Sequence, residues 1–497
     1  MKSACVFMLC AFLIFRGENG LLAQTKGSAR PPKPVIDSVK LIPGGDRWVQ
    51  SGEELYVEMK GTPGQKAWFL DDRAMQEIRP GVYRGKYVVR TDDLFHDEPI
   101  EVFFRNPGSD EFVSAATPDR VRYLASDTSA STRKKRTHLY YGLGDDRLGG
   151  ARMGSIDSGI RLRITGKTGS LFHVRLSPER DAWVAEEDLR FYDQNLPLTT
   201  ALSGSWMIRQ EGNYDVIRIT LPQRVPYVSF TDADPATLTV DLFGAASNTN
   251  WITQRGPMAA IADTWYEQPS EQVFRIRIRP QHDQLWGYET GYDGNTFFIR
   301  VKKRPDRLAL NGLTIMLDAG HGGTNIGAKG PSGSVEKLLT MSIVQKLGEK
   351  LAKNGATILY TRNKDVTVDM DTRLELVTSA QPDLLISVHC NSSANPSVQG
   401  TSSYYKHVAY RPLSRFIQAE NLKLGLADFG NVGSFNFALN AVTACPNVLV
   451  ETAFVSNPDD EKRLMDDAFQ DELVRSIVKG VKNFVKAAKK NETFRTK

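Results

Sequence analysis

The stretch LTIMLDAGHGGTNIGAKGPSGSVEKLLTMSIVQKLGEKLAKNGATILYTR, residues 313–362, decides the fold. An apolar run, LTIMLDA, leads into a loop with six glycines between positions 320 and 333. From about Val335 to Lys353 the apolar residues return at helical period, and TILYTR reads as a second strand. The alternation continues with helix MDTRLELVTSA (370–380), strands DLLISVHCN (383–391) and TSSYY (401–405), and helix RPLSRFIQAENLKLGLA (411–427). Strand NVLVETAFV (447–455) and two helices to about Lys489 close it. Strand and helix in turn imply a mainly parallel sheet covered by helices on both faces. Ligands of such sheets bind beyond the carboxyl ends of the strands, so chemistry is expected in the loops after them.

Upstream the period changes to two. Between Val35 and Leu124, segments such as ELYVEMKG (54–61) alternate apolar and polar residues, which predicts a β-sandwich over 35–125. The run SDTSASTRKKRTH (126–138) reads as a basic, solvated linker, with contact to an acidic polymer as the other reading. Over 139–193, short strands flank a Gly turn (166–169) and end in Trp183-Val184. A third β unit covers 196–303. There Phe274, Ile276 and Ile278 form one face of a strand, and Arg275, Arg277 and Arg279 the other. That arginine row can grip carboxylates in a bidentate way, or it can be an ordinary solvated face. The fold class expected is therefore multidomain: three N-terminal β domains followed by an α/β domain.

Sixty-three Lys and Arg against 58 Asp and Glu give a net charge of +5 over 497 residues, too mild to demand a nucleic-acid partner. With 41% hydrophobic and 24% charged residues the composition is ordinary for a chain of about three or four domains. At the N-terminus Lys2 precedes an apolar run from Ala4 to Phe15, too short to span a bilayer. A secretory signal over 1–23 is expected, hence work outside the cytoplasm, although a short anchor or a buried helix would fit the same residues. No other stretch is long and apolar enough to span a membrane. Residues 487–497 form a basic tail.

His321 follows the first α/β strand, Glu336 opens the next helix and His389 ends the strand LLISVH. Taken singly, Glu336 is also explained by the helix dipole, and His389 as a satisfied strand-end residue. Together, two imidazoles and a carboxylate on one rim make a three-ligand catalytic zinc set that leaves a position for water. Such a site needs a further carboxylate to move protons. Glu451, after the buried run NVLV, fits, with a salt bridge to Arg362 or Arg373 as its plainer alternative. No GxxxxGK[ST] phosphate loop is present.

These motifs (LDAGHGGTNIGAKGPSGSVEK, TRLELVTSAQPDLLISVHCNS and PNVLVETAFVSNPDDEKRL) resemble, in order and spacing over residues 311–486, the zinc-dependent N-acetylmuramoyl-L-alanine amidases. The resemblance implies one zinc ion held by His321, Glu336 and His389, with Glu451 as catalytic residue. It implies hydrolysis of the amide between N-acetylmuramic acid and L-alanine, with peptidoglycan as the partner. An inactive wall-binding protein and a zinc peptidase of the stem peptide remain alternatives. Segment 139–193 resembles the Src-homology-like small barrels of wall enzymes, and 196–303 resembles the AMIN domain that accompanies wall amidases. The exported chain is expected in the periplasm, with a divisome or envelope protein as partner of the β domains. Three departures stand out. Cys390 follows the second histidine and reads as core, though a Cys390–Cys445 disulfide is conceivable. The family's basic motif is replaced by GNVGSFNFALN (430–440). Finally, Lys406 to Asn431 has room for one ordinary helix, so no inserted helix is expected to plug the site.

Overall fold

The computed structural model describes residues 34–494 apart from 71, 94, 109, 125–127, 145–148, 193–197 and 234–235. The expected signal segment 1–23, with Cys5 and Cys10, and the last three residues of the basic tail lie outside the described residues.

The α/β part is built on six strands: β1 (Thr314–Ala319), β2 (Thr357–Tyr360), β3 (Leu384–Asn391), β4 (Thr401–Tyr404), β5 (Asp428–Val432) and β6 (Asn447–Phe454). Their order in the sheet is β2-β1-β3-β6-β4-β5. All neighbouring pairs are parallel except β4 with β6, which is antiparallel. Five helices accompany them: α1 (Glu336–Lys353), α2 (Met370–Ala380), α3 (Arg411–Asn421), α4 (Pro458–Met465) and α5 (Asp467–Lys489). Strand alternation divides the apolar residues into two cores. Ile315, Leu317, Ile386, Val388, Val448 and Val450 join a cluster with α1, α3 and α5. Met316 and Leu385 instead meet Leu374 and Val377 of α2, together with Leu439, Val442 and Cys445. Local signals set the helix ends. Asp369 caps α2 by accepting from the Thr372 amide, and Asn457 caps α4, where Pro458 occupies the first turn.

Among the described residues, 34–42, 56–86 and 100–118 form one compact unit. In its described part, Ile36–Ile42 pairs antiparallel with the strand ending at Gly61, and Val57, Met59, Phe69 and Phe104 are fully buried. Residues 43–55, 87–99 and 119–497 form the second unit.

Within that second unit, the expected linker 126–138 contains strand residues. Ser129–Thr132 is a buried strand that pairs with Arg161–Arg163 on one side and Leu189–Phe191 on the other. Its small hydroxyl residues fit a buried ladder because they find partners: Thr132 Oγ1 donates to the Asp157 carbonyl at 2.6 Å, and Ser131 bonds the Tyr192 hydroxyl at 2.8 Å. Over 201–302 one sheet carries Trp206–Glu211, Tyr214–Thr220, Tyr288–Asp293 and Thr296–Lys302. A second carries Tyr227–Ala233, Ala236–Phe243, Ile261–Ser270 and Val273–Pro280. Trp206, Phe274 and Phe297 are buried in the core cluster they share. The arginine row of the last strand is neutralised on its own sheet. Arg275 forms a two-point pair with Asp241 (2.7 and 2.8 Å), Arg277 meets Glu267 at 3.2 Å and Arg279 meets Asp263 at 3.1 Å. Among the described residues no helix is long and apolar enough to cross a membrane.

Candidate metal centre

At the carboxyl end of β1 the chain enters a loop whose first side chain, His321, has φ 61°, the left-handed region where a residue with a Cβ is strained. Two buried guanidiniums hold it there. Arg362 donates to the carbonyls of Ala319 (2.8 Å) and Gly320 (2.7 Å); Arg373 donates to those of Ala319 (2.9 Å) and His321 (2.6 Å). Arg373 also pairs with Asp318, which accepts from Ser387 and Thr361 as well. Asp318 is 1% exposed. Its burial alone would raise its pKa, but the Arg373 charge and the two hydroxyls prevail and hold it below the ordinary carboxylate range. Two glycines leave space for the side chains that converge here. A Cβ on Gly320 would lie 2.4 Å from the His389 ring, and one on Gly327 would lie 2.5 Å from the Glu336 carboxylate.

Glu336 is the first residue of α1 and is 3% exposed. Its Oε2 faces His321 Nε2 at 3.0 Å and its Oε1 faces His389 Nδ1 at 3.1 Å. The backbone amides of Ala328 (2.9 Å) and Cys390 (3.0 Å) donate to the same carboxylate. Burial would raise its pKa, yet the hydrogen bonds and charge of the two imidazoles outweigh burial and keep it well below the usual range. For His389 the balance is similar. Burial disfavours its charged form, but the Glu336 hydrogen bond and the carboxylates of Glu451 and Asp318 raise its pKa. Glu451 stands in register with His389 on the adjacent parallel strand, so alternation directs both toward the α2 face of the sheet.

The candidate ligand atoms of His321, Glu336 and His389 lie within 4.8 Å of one another. The donor chemistry asks for a cation. Asn325 Oδ1 accepts from the Gly327 amide (3.2 Å), so the His321 Nδ1 atom 2.9 Å away must donate to that oxygen. Nε2 of His321 is then the ring nitrogen turned toward the ionised Glu336, 3.0 Å away. His389 Nε2 is buried and has no hydrogen-bond partner. An orphaned buried nitrogen beside an ionised carboxylate and a second imidazole fits a metal ion.

The structure thus brings His321, Glu336 and His389 together and sets Glu451 beside His389. Arg362 and Arg373, the alternative salt-bridge partners of Glu451, serve the His321 loop. Cys390 packs in the α1–α5 core with its Sγ 3.4 Å from Thr452 Oγ1, and burial pushes its thiol pKa well up. Cys445 is also buried, with its pKa pushed up to about 12, and both are free thiols. The helix between Lys406 and Asn431 is α3, which packs with α5 on the opposite side of the sheet from His389.

Sequence reasoning missed one wall of the site. Phe437 stands edge-on to the His389 ring (centroids 5.6 Å, 83°), and its neighbour Asn436 ties this segment to the small barrel. Asn436 Nδ2 donates to the Gly150 carbonyl (2.6 Å), while its Oδ1 accepts from the Arg152 amide (3.2 Å) and from Lys406 Nζ (3.0 Å). Further along, the Tyr288 amide donates to the Thr443 carbonyl (2.8 Å), and Gly287 lies so close to Ala444 that a Cβ would fall 2.1 Å from its carbonyl oxygen. The signal available was GNVGSFNFALN, whose aromatics had no periodicity to explain them.

Comparison with known proteins bears on this site. The family model for N-acetylmuramoyl-L-alanine amidase matches residues 315–483. The chain is 32% identical over 214 residues to the probable cell wall amidase LytH of Staphylococcus aureus, covering 43% of this chain and 72% of that one. It is 28% identical over 217 residues to the N-acetylmuramoyl-L-alanine amidase AmiC of Neisseria meningitidis, covering 34% of this chain. The match spans about half of that relative's length, 52%. Among solved structures, it is similar to the amidase AmiC2 of Nostoc punctiforme, with 26% identity and TM-score 0.34 over 35% of this chain and 97% of that one. An N-acetylmuramoyl-L-alanine amidase from Clostridium difficile 630 gives 26% identity and the same TM-score over 36% and 98%.

Proposed function

The chain belongs to the N-acetylmuramoyl-L-alanine amidase family, and on that premise we propose that it hydrolyses the amide between N-acetylmuramic acid and L-alanine in peptidoglycan. The observation that carries this reading is the convergence of His321, Glu336 and His389, with candidate ligand atoms within 4.8 Å, beside Glu451. These three residues would hold one zinc ion. When bound, zinc supplies Lewis-acid polarisation and makes water acidic enough to attack near neutral pH.

The remaining work falls to the chain's own groups. Glu336 brings a carboxylate kept ionised by its two imidazoles, so it need not lose a proton before binding a cation. Asn325 fixes the His321 tautomer by accepting from Nδ1, which leaves Nε2 for the ion. Glu451 is the base: it takes a proton from the attacking water and returns it to the leaving alanine nitrogen. Arg362 and Arg373 hold the backbone of the His321 loop.

The mature chain would act outside the cytoplasm, in the periplasm if the envelope has one, in keeping with the cell wall named in the Staphylococcus relative. The barrel-like and AMIN-like β domains would supply location and a contact with a divisome or envelope protein. Mass analysis of products from purified wall tests the reading. Release of intact stem peptides is expected. Shortened peptides would assign a peptidase instead, and no release, with the chain still sedimenting with the wall, would assign an inactive binder.

A further inference from the structure

A second group of arginines lies in the small barrel. Strands Arg161–Thr168 and Leu171–Ser177 run antiparallel, and their register sets Arg163 directly opposite Arg175. Arg161, two residues along, shares that face. Like charges directly opposite on a ladder destabilise a sheet, so this arrangement works against the fold. Asp181 relieves it in part. It pairs with Arg175 at 3.1 Å and also lies 3.7 Å from His173. Glu179 at the rim is bonded to the hydroxyls of Ser177 (3.1 Å) and Ser270 (3.3 Å). Among the described residues, no ion pair includes Arg163.

The next β unit adds a fourth guanidinium. Arg224 donates to the carbonyls of Ser158 and Gly294, both at 2.8 Å, which fixes its plane, and the nearby Asp157 carboxylate offsets part of its charge. Arg161, Arg163, Arg175 and Arg224 line one cavity of about 270 Å³, to which Val225 and Phe243 add apolar surface. A guanidinium wall beside apolar surface suits a planar carboxylate carried on a short alkyl or peptide chain, which arginine binds with two parallel hydrogen bonds. A cavity this small does not suit an extended nucleic acid.

We propose that this cleft is a second binding site, distinct from the metal centre, and that it takes the free carboxylates of peptidoglycan stem peptides. The assignment rests on the wall-amidase reading for the identity of the ligand, and on the arginine arrangement for its place. It gives the chain a grip on substrate peptides away from the scissile bond, which raises the local concentration of the polymer at the metal centre.

The test titrates the full-length chain by calorimetry with a synthetic stem tetrapeptide bearing free carboxylates, and with the same peptide fully amidated. The carboxylate form should bind, and more weakly at high salt. Arg163→Ala should weaken it about tenfold or more, and Arg163→Lys should recover only part, because ammonium lacks the fork. The thermal midpoint of Arg163→Ala should not fall, since a repulsive pair is removed. Its zinc content should match that of the unaltered chain, which itself should cleave a small soluble muropeptide, because Arg163 lies outside the metal centre. Unchanged affinity in Arg163→Ala, equal binding of the amidated peptide, or tighter binding of inorganic polyphosphate would each overturn the carboxylate assignment. If the muropeptide is not cleaved while binding still depends on Arg163, the amidase reading fails and the cleft remains a carboxylate site.

Discussion

The two sides of the candidate metal centre are held in different ways. On one side, the His321 loop is fixed from inside the α/β domain by Arg362, Arg373 and buried Asp318. On the other, the segment bearing Phe437 is fixed from outside it, through Asn436 to Gly150 and Arg152 and through Thr443 to Tyr288. The first arrangement makes the candidate ligands independent of the β region. The second makes the shape of the site beside His389 depend on it. Losses on the first side should therefore appear as lost stability and lost metal; losses on the second should appear as lost turnover with the metal retained.

The largest effect is expected on the inner side. Arg373→Ala leaves Asp318 buried and unpaired, and it should cost about 3–5 kcal/mol in denaturant unfolding, with metal affinity falling alongside. The sign of its pH dependence is set by Asp318, whose folded pKa is depressed. The stability this supplies is present above the unfolded pKa and is lost as pH falls through the folded one. The gap between Arg373→Ala and the unaltered chain should thus narrow on acidification. A gap that widens would mean that the pair is not what holds the loop.

A smaller effect is expected on the outer side. Asn436→Ala removes three hydrogen bonds to the wall segment without touching a candidate ligand. Turnover of a small muropeptide should fall roughly tenfold, since modest misplacement near reacting groups is costly. Zinc content should stay unchanged and the thermal midpoint nearly so. Loss of zinc in this variant would erase the contrast between the two sides.

Legibility in the sequence divides along the same line. His321 follows a strand, Glu336 opens a helix, and His389 and Glu451 lie inside apolar strands that run on to Asn391 and Phe454; in each place a polar residue interrupting an apolar pattern is visible one position at a time. Asp318 was hidden because one acid inside LTIMLDA gains meaning only from Arg373, 55 residues away, and the buried pair is a tertiary fact. Asn436 was hidden more deeply, since two of its three partners are backbone groups of Gly150 and Arg152, which no pattern of residue types announces. The partners of the arginine row 275–279 were hidden for a related reason. Its acids, Asp241, Glu267 and Asp263, lie on neighbouring strands, and only the ladder register brings them opposite. The buried strand at Ser129–Thr132 read as linker because short hydroxyl residues look solvated until their partners are known.

The central claim is that three residues hold the metal while a fourth moves the proton, and one paired measurement separates those roles: zinc content and turnover in His389→Ala and Glu451→Gln, prepared side by side. His389→Ala should lose zinc and activity together. Glu451→Gln keeps the shape of the side chain but cannot accept a proton, so zinc should stay while turnover falls about 10²-fold or more. Full zinc occupancy in His389→Ala, or an active Glu451→Gln chain, would contradict the account.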